Sequence, residues 1–127
     1  MHINLESTDK YSIQAYSDSQ VKIDNVAYQH NLIVSKHGII PDWNILTIHE
    51  LDEKKLQEIL NFTPEVIIIG HTATGQFPPF STINYLSQKR IGIECMSIGA
   101  ACRTYNVLLS EHREVVLGII FGVKNDQ

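Results

Sequence analysis

At 127 residues the chain has the length of a single domain, 1–127, able to bury a core without disulfide or metal staples. Its 43% hydrophobic and 19% charged residues are ordinary for a globular protein, and a net charge of −4 argues against a nucleic-acid partner, since the adjacent basic pairs are Lys54-Lys55 and Lys89-Arg90 alone. Cys95 and Cys102 make neither a disulfide framework nor a zinc pattern and fit a reducing compartment.

The longest apolar run, 115–123, is about half of what spans a bilayer, and Gly118 and Gly122 interrupt it. Residues 1–10 carry no apolar signal core. The expectation is a cytoplasmic protein, or one already freed of a targeting segment, with no membrane insertion.

Residues 11–16, 20–24 and 26–34 read as strands, with Asp18-Ser19 and Asp24-Asn25 as the turns between them. Gly38 and Pro41 punctuate a loop, and 44–48 reads as a short strand or extended segment. A helix is expected over 51–60, where Leu56, Ile59 and Leu60 form an apolar stripe and Asp52 and Glu53 favour the positive end of the helix dipole. Pro64 ends it.

From there the pattern is regular. The aliphatic run 66–69 marks a strand buried on both faces. A helix over 79–89, with Pro79 suited to its first position, a strand over 91–96, a helix over 98–109 and a strand over 115–121 complete it. Strand–helix–strand–helix–strand predicts an α/β sheet in which 66–70 and 91–96 are parallel neighbours.

Three segments carry candidate chemistry. Gly70-His71-Thr72-Ala73-Thr74-Gly75 has the glycine spacing of a phosphate loop, but Gln76-Phe77 stands where the motif needs Lys and then Ser or Thr, which excludes nucleotide hydrolysis of that kind. The loop could still hold a small ligand through backbone N–H groups and the Thr72 and Thr74 hydroxyls; otherwise it is a turn leaving the sheet. With Ser97 and Gly99 at the head of the next helix, it would form a cleft lined by Gly70, His71, Thr72, Thr74, Gly75, Ser97 and Gly99 at the carboxyl ends of the strands. His71 as a general base would need an orienting carboxylate, and Glu94 is the nearest in type.

The second segment is the helix opening at Ser97, which can cap it. Ile98, Ala101, Cys102, Tyr105, Leu108 and Leu109 share one face, so Cys102 is a core thiol rather than a reactive one. The third is the opposite side of that helix. Arg103 lies about 150° from the apolar stripe, and with Val107 and Ser110 it forms a candidate docking strip, or else it is an ordinary solvated arginine. No histidine spacing suggests a metal site, and no cofactor signature is present.

Several of these pieces occur together and in order: Pro64-Glu65-Val66-Ile67-Ile68-Ile69-Gly70, Phe77-Pro78-Pro79, Gly92-Ile93-Glu94-Cys95-Met96 and Ala100-Ala101-Cys102-Arg103-Thr104-Tyr105-Asn106-Val107-Leu108. The chain resembles the Mth938-like domain family, which includes the mitochondrial NADH dehydrogenase alpha subcomplex assembly factor 3. The Ala-Cys-Arg-Thr-Tyr-Asn run is the specific part, and the likeness covers residues 60–121 best. It implies a three-layer α/β fold: a central mixed sheet of about five strands, helices packed on it and an extra N-terminal β layer.

The resemblance implies no catalytic activity. It implies a module that binds protein partners, by likeness to an assembly factor; a homo-oligomer is compatible with it. The chain departs from the family pattern at His71, where glycine-threonine-glycine is usual, at Ser97 in place of aspartate, and at His112 in place of glycine. Loss of that aspartate removes the acidic candidate from the cleft. Two further readings stand beside the binding module: a small-ligand protein or enzyme using the cleft, and a redox sensor using Cys95 and Cys102.

Overall fold

The computed structural model describes residues 2–5, 9–73 and 75–122. In chain order the elements are β1 (Ile3–Asn4), β2 (Ala15–Tyr16), β3 (Val21–Ile23), β4 (Val26–Tyr28), β5 (Leu32–Ser35), β6 (Gly38–Ile40), a 3-10 turn (Ile48–Glu50), α1 (Glu53–Leu60), β7 (Val66–His71), α2 (Phe80–Gln88), β8 (Gly92–Met96), α3 (Ile98–Ser110) and β9 (Val115–Ile120).

Strands β1 to β4 form an antiparallel meander. Asp24 and Asn25 both take positive φ, 49° and 66°, as a two-residue turn between right-twisted strands requires. The other sheet runs β6-β5-β9-β7-β8. Its β7, β8 and β9 are parallel, while β5 joins β9 and β6 antiparallel. Strands 66–71 and 92–96 are therefore parallel neighbours with α2 between them in sequence, as the aliphatic runs predict.

The central sheet is covered on both faces. On one, α3 and the N-terminal meander share a core in which Ile13, Val21 and Ile23 meet Ile68, Leu117 and Tyr105. On the other, α1, α2 and the segment around Trp43 and Ile48 pack on Ile67, Ile69 and Val116. The three-layer mixed α/β architecture matches the expected fold class.

The N-terminal third differs from its sequence reading. Residues 26–34 are not one strand: β4 belongs to the meander and β5 to the central sheet, where all four of its residues are buried. Asn31 makes the break, its Oδ1 accepting from Phe121 N and its Nδ2 donating to Ile45 O. Of 11–16, Ala15 and Tyr16 alone pair in a ladder. Gly38–Ile40 is a strand rather than a loop, pairing back on β5. Ile48 begins a helical turn, so 44–48 contains no strand. Asp52 caps α1 by accepting from Lys55 N, and Pro79 sits at the N-cap of α2 instead of its first turn.

Candidate functional site

The connections from β7 and β8 leave toward opposite faces of the sheet, since α2 packs with the α1 layer and α3 with the meander layer. Open α/β sheets place crevices at the carboxyl ends of such a strand pair. Here the crevice is closed from the α3 side. A Cβ on Gly70 would stand 2.7 Å from Ala101 Cβ and 3.1 Å from Ile98 Cα, so this glycine exists to let α3 seat directly on β7. Ser97 caps the helix through Ala100 N, and Gly99 lies under the Tyr16 ring, where a Cβ would come within 2.8 Å of Cε1.

The candidate cleft residues consequently divide. Gly70, Ser97 and Gly99 belong to the α3 side. His71, following Ile69 by two along the strand, belongs to the α1/α2 side. Thr72 ties the end of β7 to that of β9, its Oγ1 donating to Phe121 O at 3.3 Å. Gly75 turns at φ 77° with open space around it, and Thr74 lies outside the described residues. Glu94 pairs with Ile68 in register and so shares the α3 face, away from His71. The orienting carboxylate that general-base use of His71 requires is thus not supplied by Glu94.

A hollow of about 240 Å³ does open one strand over, between the ends of β7 and β9, where Leu46, Ile48, His71, Thr72, Gln76 and Ile120 meet. His71 is 8% exposed, and its Nδ1 is buried without a hydrogen-bond partner. Burial first, and then the neighbouring His49, hold its pKa below the usual histidine range, so the imidazole is neutral at pH 7. Sequence reasoning singled out His71 and Thr72 but missed the opposite wall, because Leu46 to Ile48 carries no motif and reaches the site through packing that only the fold creates.

The run Ala101–Asn106 is a clasp between layers. Ala101 abuts Gly70. Cys102 is buried, and apolar burial pushes its thiol to about 12; Cys95, partly exposed, is pushed to about 11 by burial and then by Glu94. Tyr105 Oη donates to Tyr11 O at 2.9 Å. Asn106 takes both backbone groups of Ile13, accepting from its N–H and donating to its carbonyl, each at 2.9 Å. Arg103 reaches back over the Tyr16 ring, 5.8 Å from its centroid, and donates to the Tyr16 hydroxyl. Glu65 is bound by Arg113 at 2.8 Å and not by Arg103. Val107 and Ser110 remain exposed on the outer face of α3.

The largest exposed apolar side chains lie elsewhere. Phe77 is 65% and Phe80 89% exposed, on either side of Pro78-Pro79 at the head of α2. Sequence reasoning used these residues for the resemblance and the start of the helix and did not read them as surface.

A family model matches residues 13–120, described as a protein of unknown function (DUF498/DUF598). The chain belongs to this family. A protein of Francisella tularensis subsp. holarctica, named a 13 kDa major membrane protein, is 33% identical over 94 residues, 73% of this chain and 76% of that protein. The solved structure of a Xanthomonas campestris protein superposes with a TM-score of 0.82 at 28% identity, covering 93% of this chain and 90% of the other. A Bordetella pertussis Mth938-like domain matches with a TM-score of 0.76 at 21% identity, covering 94% and 92%, a likeness of fold. The Mth938-like resemblance drawn from the motifs therefore holds. Among the described residues no helix is long and apolar enough to cross a membrane, and no group of three or more metal-ligating side chains occurs.

Proposed function

We propose that the protein is a docking module, assembly-factor-like, that acts by holding another protein rather than by catalysis. The observation that carries this reading is the pair Phe77 and Phe80, 65% and 89% exposed, at the head of a helix without a single charged residue. The outward face of α2 continues the strip through Ile83, Asn84 and Ser87 along a shallow groove. Beside it runs β8, the edge strand of the central sheet, with one side of its backbone ladder unpaired by any other described strand. Uncharged apolar surface with amide and hydroxyl groups interspersed suits a protein partner; aromatic side chains of this kind are enriched where interfaces form. The membrane protein name of the Francisella relative supports a partner that belongs to a membrane-associated assembly.

The strip of Arg103, Val107 and Ser110 is the weaker surface, because Tyr16 already engages the arginine. Tagged chains recovered from the native cell under quantitative mass spectrometry separate the two. Phe77→Ser with Phe80→Ser is expected to keep the melting temperature and lose the principal partner at least tenfold, as anchors of an interface do. Loss with Arg103→Ala and Val107→Ser instead would move docking to α3. Retention by both variants would overturn the docking reading.

A further inference from the structure

We propose that the hollow between the carboxyl ends of β7 and β9 is a binding site for a compact, uncharged ring compound that carries both a hydrogen-bond donor and an acceptor. This is independent of the docking strip on α2. Three observations meet there. The hollow holds about 240 Å³, on the order of eight water volumes, slightly under the size of pockets that take drug-sized ligands. Its walls are Leu46, Ile48, Ala73 and Ile120, with Thr47, Thr72 and Gln76 among them, and among the described residues no carboxylate, lysine or arginine lines it. His71 stands in the wall more than nine-tenths buried, its Nδ1 without a hydrogen-bond partner among the described residues.

A buried polar side chain without partners is costly, and native proteins keep such groups where a ligand, ion or water completes them. The imidazole here is neutral rather than a cation, and the Gln76 carboxamide in the same wall offers a donor and an acceptor side by side. Among the described lining residues an anion would find no positive charge to offset its desolvation, and a cation no carboxylate. Apolar walls flanking a few polar groups favour a flat ring whose edge bears N–H and C=O, the arrangement of a lactam or a nucleobase. The site rests on rigid parts. Gly122, at φ 82°, leaves room for the Thr72 hydroxyl 3.1 Å from where a Cβ would stand, and that hydroxyl fixes the two strand ends together.

The test is a titration of the 15N-labelled full chain with 2-pyridone, a neutral lactam, with benzoate and inorganic phosphate as charged comparators. Saturable amide shifts are expected with pyridone at Thr47, Ile48, His71, Thr72 and Ile120, with none from benzoate or phosphate over the same range. His71→Phe should weaken pyridone binding at least fivefold. Should that variant fail to fold, Ala73→Phe, which fills the space from a partly exposed loop position, should abolish the shifts. The proposal is overturned if pyridone gives no saturable shifts, if benzoate or phosphate binds equally well, or if the folded variants bind as the parent does.

Discussion

Replacing Asn106 with alanine should destabilise the protein far more than replacing its neighbour Arg103. The Asn106 carboxamide holds Ile13 by both backbone groups, at 2.9 Å each, and the Ile13 side chain is fully buried in the core shared by α3 and the meander. Alanine leaves a donor and an acceptor without their partner in a protected place. At about 1–3 kcal/mol for each such group, with some relief from entering water, the expected loss is about 2–4 kcal/mol. Arg103 is itself exposed, and at exposed sites a cation over an aromatic face contributes about 0.5–1 kcal/mol, so Arg103→Ala should cost about that much. Urea unfolding followed by circular dichroism measures both. Hydrogen exchange adds a local readout, since the Ile13 amide should exchange markedly faster in Asn106→Ala while amides of β7 and β9 are least affected. A loss below about 0.5 kcal/mol with unchanged Ile13 exchange would refute the clasp.

Other expectations follow from the same geometry. Gly70→Ala should cost about 1–3 kcal/mol, because the new methyl meets Ala101 Cβ at 2.7 Å where α3 has no room to retreat without opening the core; thermal melting measures it. Cys102, buried and with its thiol pushed to about 12, should resist a thiol reagent at pH 8 in the folded state and react promptly in denaturant, with Cys95 intermediate; fast native labelling of Cys102 would revive the redox reading. His71 binds its proton less readily folded than unfolded, so below about pH 6.5 the unfolded chain takes up a proton that the folded one refuses. Its contribution to stability is therefore complete above that pH and is lost as the pH falls. Urea midpoints between pH 7 and pH 5 should drop less in His71→Phe than in the parent.

The C-terminal half was legible because each element carries its own period. The aliphatic run of β7 states burial on both faces, and α3 shows one apolar stripe bounded by Ser97. Nothing local announces the break between β4 and β5. Residues 26–34 read as one strand until Asn31 is seen fastening Phe121 and Ile45, residues distant in sequence. The same holds for the site. Its glycine-rich loop was visible, yet Gly70 and His71, adjacent in the chain, face opposite layers, so the cleft expected between the loop and the head of α3 is filled by Ala101 and Ile98. The helical wheel put Arg103 outside the core, as observed, but could not supply Tyr16, which arrives from another sheet. Phe77 and Phe80 were legible as a loop and a helix start; their exposure depends on what α2 packs against, and the sequence does not contain that directly.

The central claim, docking through the head of α2, is tested most directly by placing a photo-activated benzoyl-phenylalanine at Phe80 in the native cell, with the same group at Asp18, on the far meander turn, as the comparison. Irradiation should join position 80 to one discrete protein, and that adduct should be absent from position 18. Adducts that are the same from both positions, or none from position 80 while the chain remains folded, would contradict the account.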